Sequence, residues 1–98
     1  MIATMLLDNA EIAQQLTTLP GWKRTGDVLV KEYILGGFTA ATQFVARIAP
    51  IADAMDHHPD VFIHRYKRVR IILTTHSAGG LTPKDLELAA KIEALEKT

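Results

Sequence analysis

Apolar positions along the chain repeat with two different periods, and the switches between them divide it into seven elements. Ile12, Leu16 and Leu19 follow at i, i+4, i+7, the stripe of an amphipathic helix. Asp8 with Glu11 three residues on reads as the capped start of that helix, and Pro20-Gly21 ends it. Trp22 to Thr25 and Val28 to Leu35 read as short strands, with Gly26-Asp27 as a tight turn between them. After Gly36-Gly37 the helical period returns from about Thr39 to Asp56, where Ala41, Phe44, Val45, Ile48, Ala52 and Met55 share one face. Pro50 lies inside this run, and its missing N–H predicts a kink or a break just before it.

Val61 to Tyr66 and Val69 to His76 read as a second strand pair joined by a basic turn. Alternation in the last strand puts Val69, Ile71, Leu73 and Thr75 on one face, and Arg70, Ile72, Thr74 and His76 on the other. Ser77-Ala78-Gly79-Gly80 is a loop. Thr82 then caps a final helix with Pro83 in its first position, and Leu88, Ala89, Ile92 and Leu95 form its buried stripe. The order is α-β-β-α-β-β-α. Two hairpins separated by a helix predict an α+β fold, a four-stranded antiparallel sheet with three helices packed on one face. No repeat or linker interrupts the 98 residues, which are expected to form a single domain over 1–98.

Composition narrows the function classes. A chain 48% hydrophobic and 22% charged has the makeup of a folded domain rather than a disordered one. Lys+Arg and Asp+Glu are both 11, so the net charge is zero. That gives no electrostatic footprint for direct nucleic-acid or membrane binding. The local basic run from His64 to Arg70 reads as a charged turn and strand edge. The absence of cysteine excludes disulfides, thiolate catalysis and Cys-type zinc sites. Met1 to Asp8 lacks the basic start and the apolar length of a signal peptide, and no run reaches membrane-spanning length. A cytoplasmic location is the expectation.

The chemistry concentrates in Asp53-Ala54-Met55-Asp56-His57-His58-Pro59 and in His76. Imidazole is the side chain whose proton is in play near neutral pH, so the grouping suggests proton transfer. Each residue also has a plainer reading. His57 can cap a helix C-terminus, and Asp85 can favour the N-terminus of the last helix. Asp53 lies at i, i+4 from His57 and either orients that ring or is simply exposed. His58 precedes Pro59 and is held in an extended conformation. A zinc site is poorly matched, because no His-Glu-x-x-His occurs. His64 is assigned no role.

Asp53, three residues, His57-His58-Pro59, six residues, Tyr66, nine residues, His76, eight residues, Asp85: this spacing resembles the signature of the pterin-4a-carbinolamine dehydratases. Leu19-Pro20-Gly21-Trp22, Phe38, Phe44, Thr74-Thr75-His76 and Gly80-Leu81-Thr82 extend the resemblance over most of the chain. It implies the same α+β fold, a homodimer or homotetramer, a pterin substrate, and no metal or organic cofactor. The implied reaction dehydrates 4a-hydroxytetrahydropterin to quinonoid dihydropterin. By resemblance His57 and His76 form the acid–base pair, and His58 binds and orients the pterin. Pro59 and the backbone of Thr75, His76, Ser77 and Ala78 line the pocket. Asp85 supports the site and Asp53 assists His57. Val61 stands where many members carry an aromatic residue, and Pro50 is also a departure. The alternatives are a binding role, as a dimerisation cofactor or assembly factor, and a metal-binding regulatory domain.

Overall fold

The computed structural model describes residues 5–97, so the N-terminal reading of Met1 to Thr4 lies outside the described residues. The elements are α1 (Asn9–Leu16), β1 (Lys23–Thr25), β2 (Val28–Ile34), α2 (Phe38–Met55), β3 (Asp60–His64), β4 (Arg68–Leu73), a 3₁₀ turn (His76–Ala78) and α3 (Pro83–Glu96). The sheet order is β1-β2-β4-β3, antiparallel at every step. β2 and β3 therefore run parallel with β4 between them, and α2 makes the crossover. The fold is the expected α+β arrangement of three helices and a four-stranded antiparallel sheet.

Local chemistry sets the helix starts. At α1 the Asp8 side chain accepts from the Glu11 N–H at 2.8 Å in a full capping box. At α3 Thr82 is the cap, Pro83 fills the first turn, and the Asp85 side chain accepts from the Thr82 N–H. α1 is shorter than its apolar stripe suggests, and Leu19 is buried in the turn beyond its end. α2 runs unbroken through exposed Pro50, so of the expected kink or break the break does not occur. Proline costs the helix one hydrogen bond there and crowds the preceding turn, and the burial of Ala41, Phe44, Ile48 and Ala52 carries the helix across.

The core lies between α2, α3 and one face of the sheet. Leu29, Tyr33, Val69, Ile71 and Leu73 point into it and meet Phe44, Ile48, Leu88, Ala89 and Ile92. Phe44 and Leu88 are fully buried. Removing the Phe44 ring would cost about 3–5 kcal/mol through lost burial and the cavity left behind. Tyr33 packs on Phe44 with ring centroids 5.0 Å apart and edge-on to Trp22 at 6.3 Å.

β4 ends at Leu73, three residues earlier than alternation suggests. Thr75 instead pairs with Gly80 in an isolated bridge, and the chain between them turns through left-handed Gly79 (φ 75°). His76 therefore opens a 3₁₀ turn and does not share a strand face with Arg70 and Thr74. The basic run is also different in place. Arg68 and Arg70 sit on β4, an inner strand, and converge with His64 of edge strand β3 on Glu32 of β2.

Candidate active site

The end of α2 decides how the two adjacent histidines are used. Asp56 takes a left-handed conformation (φ 49°), and the His57 N–H reaches back to the Ala52 carbonyl at 3.1 Å. This six-to-one bond is a Schellman closure, which turns the chain out of the helix. The i, i+4 relation between Asp53 and His57 is lost at that turn. Asp53 meets His58 instead, with Oδ1 2.9 Å from Nε2, and both side chains are exposed. The expectation that Asp53 assists His57 is thereby corrected.

His57 turns inward and is 8% exposed. Its Nε2 lies 2.7 Å from Oδ1 of Asp85, which is 0% exposed. The other carboxylate oxygen accepts from the Thr75 hydroxyl at 2.8 Å and from the Thr82 N–H at 2.9 Å. A buried carboxylate is tolerable only when saturated with donors in this way. Three separate segments thus meet at Asp85: the end of α2, the exit of β4 and the start of α3.

Thr75 was expected to line a pocket. Its N–H bonds the Gly80 carbonyl and its own carbonyl accepts from Ala78 and Gly79, each at 3.0 Å. Its hydroxyl lies on Asp85 and Thr82. The buried Thr75 therefore has no polar group left for a ligand. His76 and Ser77 are exposed and Ala78 is half-buried. The structure links His76 to His57 through one chain step and two hydrogen bonds, via Thr75 and Asp85.

Two hollows flank this region. One of about 180 Å³ is lined by Val45, Ile48, Ala49, Asp53, His58, Pro59 and Val61. A larger one, about 390 Å³, lies between α1 and α3 among Leu7, Glu11, Gln15, Pro83, Leu86 and Glu87. Size would favour the second, but it holds no histidine. The chemistry favours the first, which carries His58 and Pro59 and in which Val61 offers an aliphatic wall in place of a ring.

A second buried carboxylate was not legible beforehand. Glu93 Oε1 accepts from Tyr33 Oη at 2.6 Å, Lys31 Nζ at 2.7 Å and Trp22 Nε1 at 3.3 Å. Burial alone would raise its pKa, but the Lys31 ammonium and Tyr33 hydroxyl outweigh that and hold it below the ordinary carboxylate range. Burial, then the Glu93 charge, pushes the Tyr33 hydroxyl up. Gly21 belongs to the same brace. It has φ 82°, and a Cβ there would stand 2.8 Å from Lys31 Cε. The signal was Glu93 itself, an acid on the stripe of Ala89 and Ile92. On the open face of the sheet the His64 hydrogen bond at 2.6 Å leads the causes that lower the Glu32 pKa.

No cluster of three or more His, Asp or Glu side chains in metal-holding geometry occurs among the described residues. No described helix is long and apolar enough to cross a membrane.

Known proteins resemble the chain in sequence and in shape. A protein from Thermomicrobium roseum, provisionally named a pterin-4-alpha-carbinolamine dehydratase, is 49% identical over 91% of this chain and 95% of its own. A Chloroflexus aurantiacus protein of the same provisional name is also 49% identical, with the same coverage. The crystal structure of a Brucella melitensis protein, described as a transcriptional coactivator/pterin dehydratase, superposes with a TM-score of 0.86 at 33% identity. It covers 92% of this chain and 97% of that one. A pterin dehydratase-like protein identified as a RuBisCO assembly factor in the alpha-carboxysome shares the fold. Its TM-score is 0.63 at 22% identity, over 76% of this chain and 88% of its own. The sequence profile of the pterin 4 alpha carbinolamine dehydratases matches residues 5–95, nearly the whole described chain, and with these relatives it makes the protein a member of that family.

Proposed function

We propose that this protein dehydrates 4a-hydroxytetrahydrobiopterin (pterin-4a-carbinolamine) to quinonoid dihydropterin and water by histidine general acid–base catalysis. The reaction would serve in cytoplasmic recycling of pterin oxidised by aromatic amino acid hydroxylases, in a homodimer or homotetramer. Family membership supports the reaction class. The buried His57–Asp85 pair at 2.7 Å is the observation that carries this reading, because it holds one imidazole of the motif in a fixed orientation.

Dehydration removes a proton from N5 and delivers one to the departing 4a-hydroxyl. His57 and His76 form the acid–base pair, with Asp85 orienting His57. His58, tethered to Asp53, binds and orients the pterin against Pro59, with the backbone of Ser77 and Ala78 as further contacts. Phe or Tyr stacking is absent at Val61, so His58 and Pro59 supply the flat contact.

The test is the rate of 4a-hydroxytetrahydropterin dehydration, followed by ultraviolet absorbance, with protein against buffer alone. The substrate also dehydrates slowly unaided, so the comparison is essential. Clear acceleration is expected. A folded protein that leaves the buffer rate unchanged would overturn the reading and leave partner binding as the role.

A further inference from the structure

The hydrogen bonds behind His57 all run one way. A hydroxyl has a single hydrogen to give. Thr75 Oγ1 gives its own to Asp85 Oδ2 at 2.8 Å. In the 2.8 Å contact between the Thr75 and Thr82 hydroxyls, Thr82 must then be the donor. Thr82 Oγ1 in turn accepts from the Lys84 N–H at 3.3 Å, while the Thr82 N–H donates to Asp85 Oδ2 at 2.9 Å. The chain of donors ends on the Asp85 carboxylate and occupies Oδ2. Oδ1 is left as an acceptor with one neighbour, His57 Nε2. The hydrogen of a neutral His57 ring therefore sits on Nε2.

The other ring nitrogen is the consequence. Among the described residues every buried side-chain nitrogen or oxygen has a partner, yet Nδ1 of His57 has none within the protein. Nδ1 is therefore not sealed from solvent, and its lone pair is free.

We infer that Thr75 is a positioning residue: with the Thr82 N–H it orients Asp85 so that His57 keeps its hydrogen on Nε2 and offers Nδ1 as the proton acceptor. The inference rests on the dehydratase reading for its reaction. There Nδ1 takes the N5 proton, and the N5–H electron pair becomes the second N5–C4a bond. The C4a–O bond breaks, and the hydroxyl leaves as water with a proton from the second acid, His76. The His57 imidazolium returns its proton to solvent and His76 regains one, so the cycle closes without any other reactant.

Nitrogen-15 NMR of the neutral histidine rings reads the tautomer without substrate. Wild-type His57 is expected with hydrogen on Nε2 and a bare Nδ1. In Asp85→Asn the amide oxygen must take the Thr75 and Thr82 donors, which turns the NH₂ toward Nε2 and moves the ring hydrogen to Nδ1. Turnover should then fall by up to about 10⁴-fold, the size of the wrong-tautomer effect in a histidine–aspartate pair. Thr75→Val should mix the tautomers and lower kcat about tenfold, the scale of one lost hydrogen bond, with KM for the pterin unchanged. Thr75→Ser keeps the hydroxyl and should restore both tautomer and rate. A wild-type His57 bearing hydrogen on Nδ1 overturns the inference, and so does a Thr75→Val protein with unchanged tautomer and kcat. A wild-type protein that does not accelerate dehydration overturns the dehydratase reading and the proton-acceptor role. The spectra still decide whether Thr75 sets the tautomer.

Discussion

α3 presents two buried carboxylates, Asp85 in its first turn and Glu93 about two turns later, and each is met by three donors. The donors differ in what they can do next. Lys31 and Trp22 are donors only, and Tyr33 spends its single hydrogen on Glu93. Glu93 therefore closes a brace that ties β2 and the turn before β1 to α3. At Asp85 one donor is an imidazole with a second nitrogen at the surface. The same device, a carboxylate saturated inside a small core, is a brace at one end of the helix and a catalytic support at the other. What separates them is whether one donor can also accept a proton from outside.

That contrast can be broken by substitution. His57→Ala should lower turnover by roughly 10²–10⁴-fold while the protein still melts cooperatively, and His76→Ala should do the same. Kinetics with thermal melting on both variants checks this; full rate in the double variant would contradict it. Glu93→Ala should show the reverse pattern. It leaves Lys31 without its buried partner and should cost about 2–4 kcal/mol in urea unfolding, with turnover per folded molecule unchanged.

Acid sharpens the comparison. The Glu93 pKa is lowered in the folded protein, so its contribution is present above the unfolded carboxylate pKa and disappears as pH falls through the folded one. Urea unfolding between about pH 6 and pH 3 should show a steeper loss for wild type than for Glu93→Gln. Glu32 titrates in both proteins, so the difference isolates Glu93. Equal slopes would mean that Glu93 is not held as an anion. The smallest effect belongs to Asp53→Asn. Its pair with His58 is exposed, so stability should change by less than about 1 kcal/mol, and any kinetic change should fall on KM.

Much of the frame was legible because it is written locally. The Asp8 and Thr82 caps, the apolar face of Ala41, Phe44, Ile48 and Ala52, and the alternation of Val69, Ile71 and Leu73 each depend on residues within a few positions. The partners of the site were not local. His57 and Asp85 are 28 residues apart and meet only because the chain leaves α2 through left-handed Asp56. Helical spacing pointed to Asp53 instead, and it failed two residues past the helix end. The length of β4 misled for a related reason. Alternation continues through Thr75 and His76, but the bridge to Gly80 bends the chain into a turn. Glu93 was hidden because its donors lie 60 to 71 residues away. The motif named the acid–base residues through resemblance, while the threonine relay behind Asp85 needed the fold.

The most direct test is the turnover number for pterin-4a-carbinolamine measured on wild type, Asp85→Asn and Glu93→Gln, each normalised to its folded fraction. A fall of several orders of magnitude for Asp85→Asn, with Glu93→Gln at the wild-type rate, is the predicted result. Equal losses in the two variants would contradict it, because both acids would then be braces and His57 would owe nothing to the one beside it.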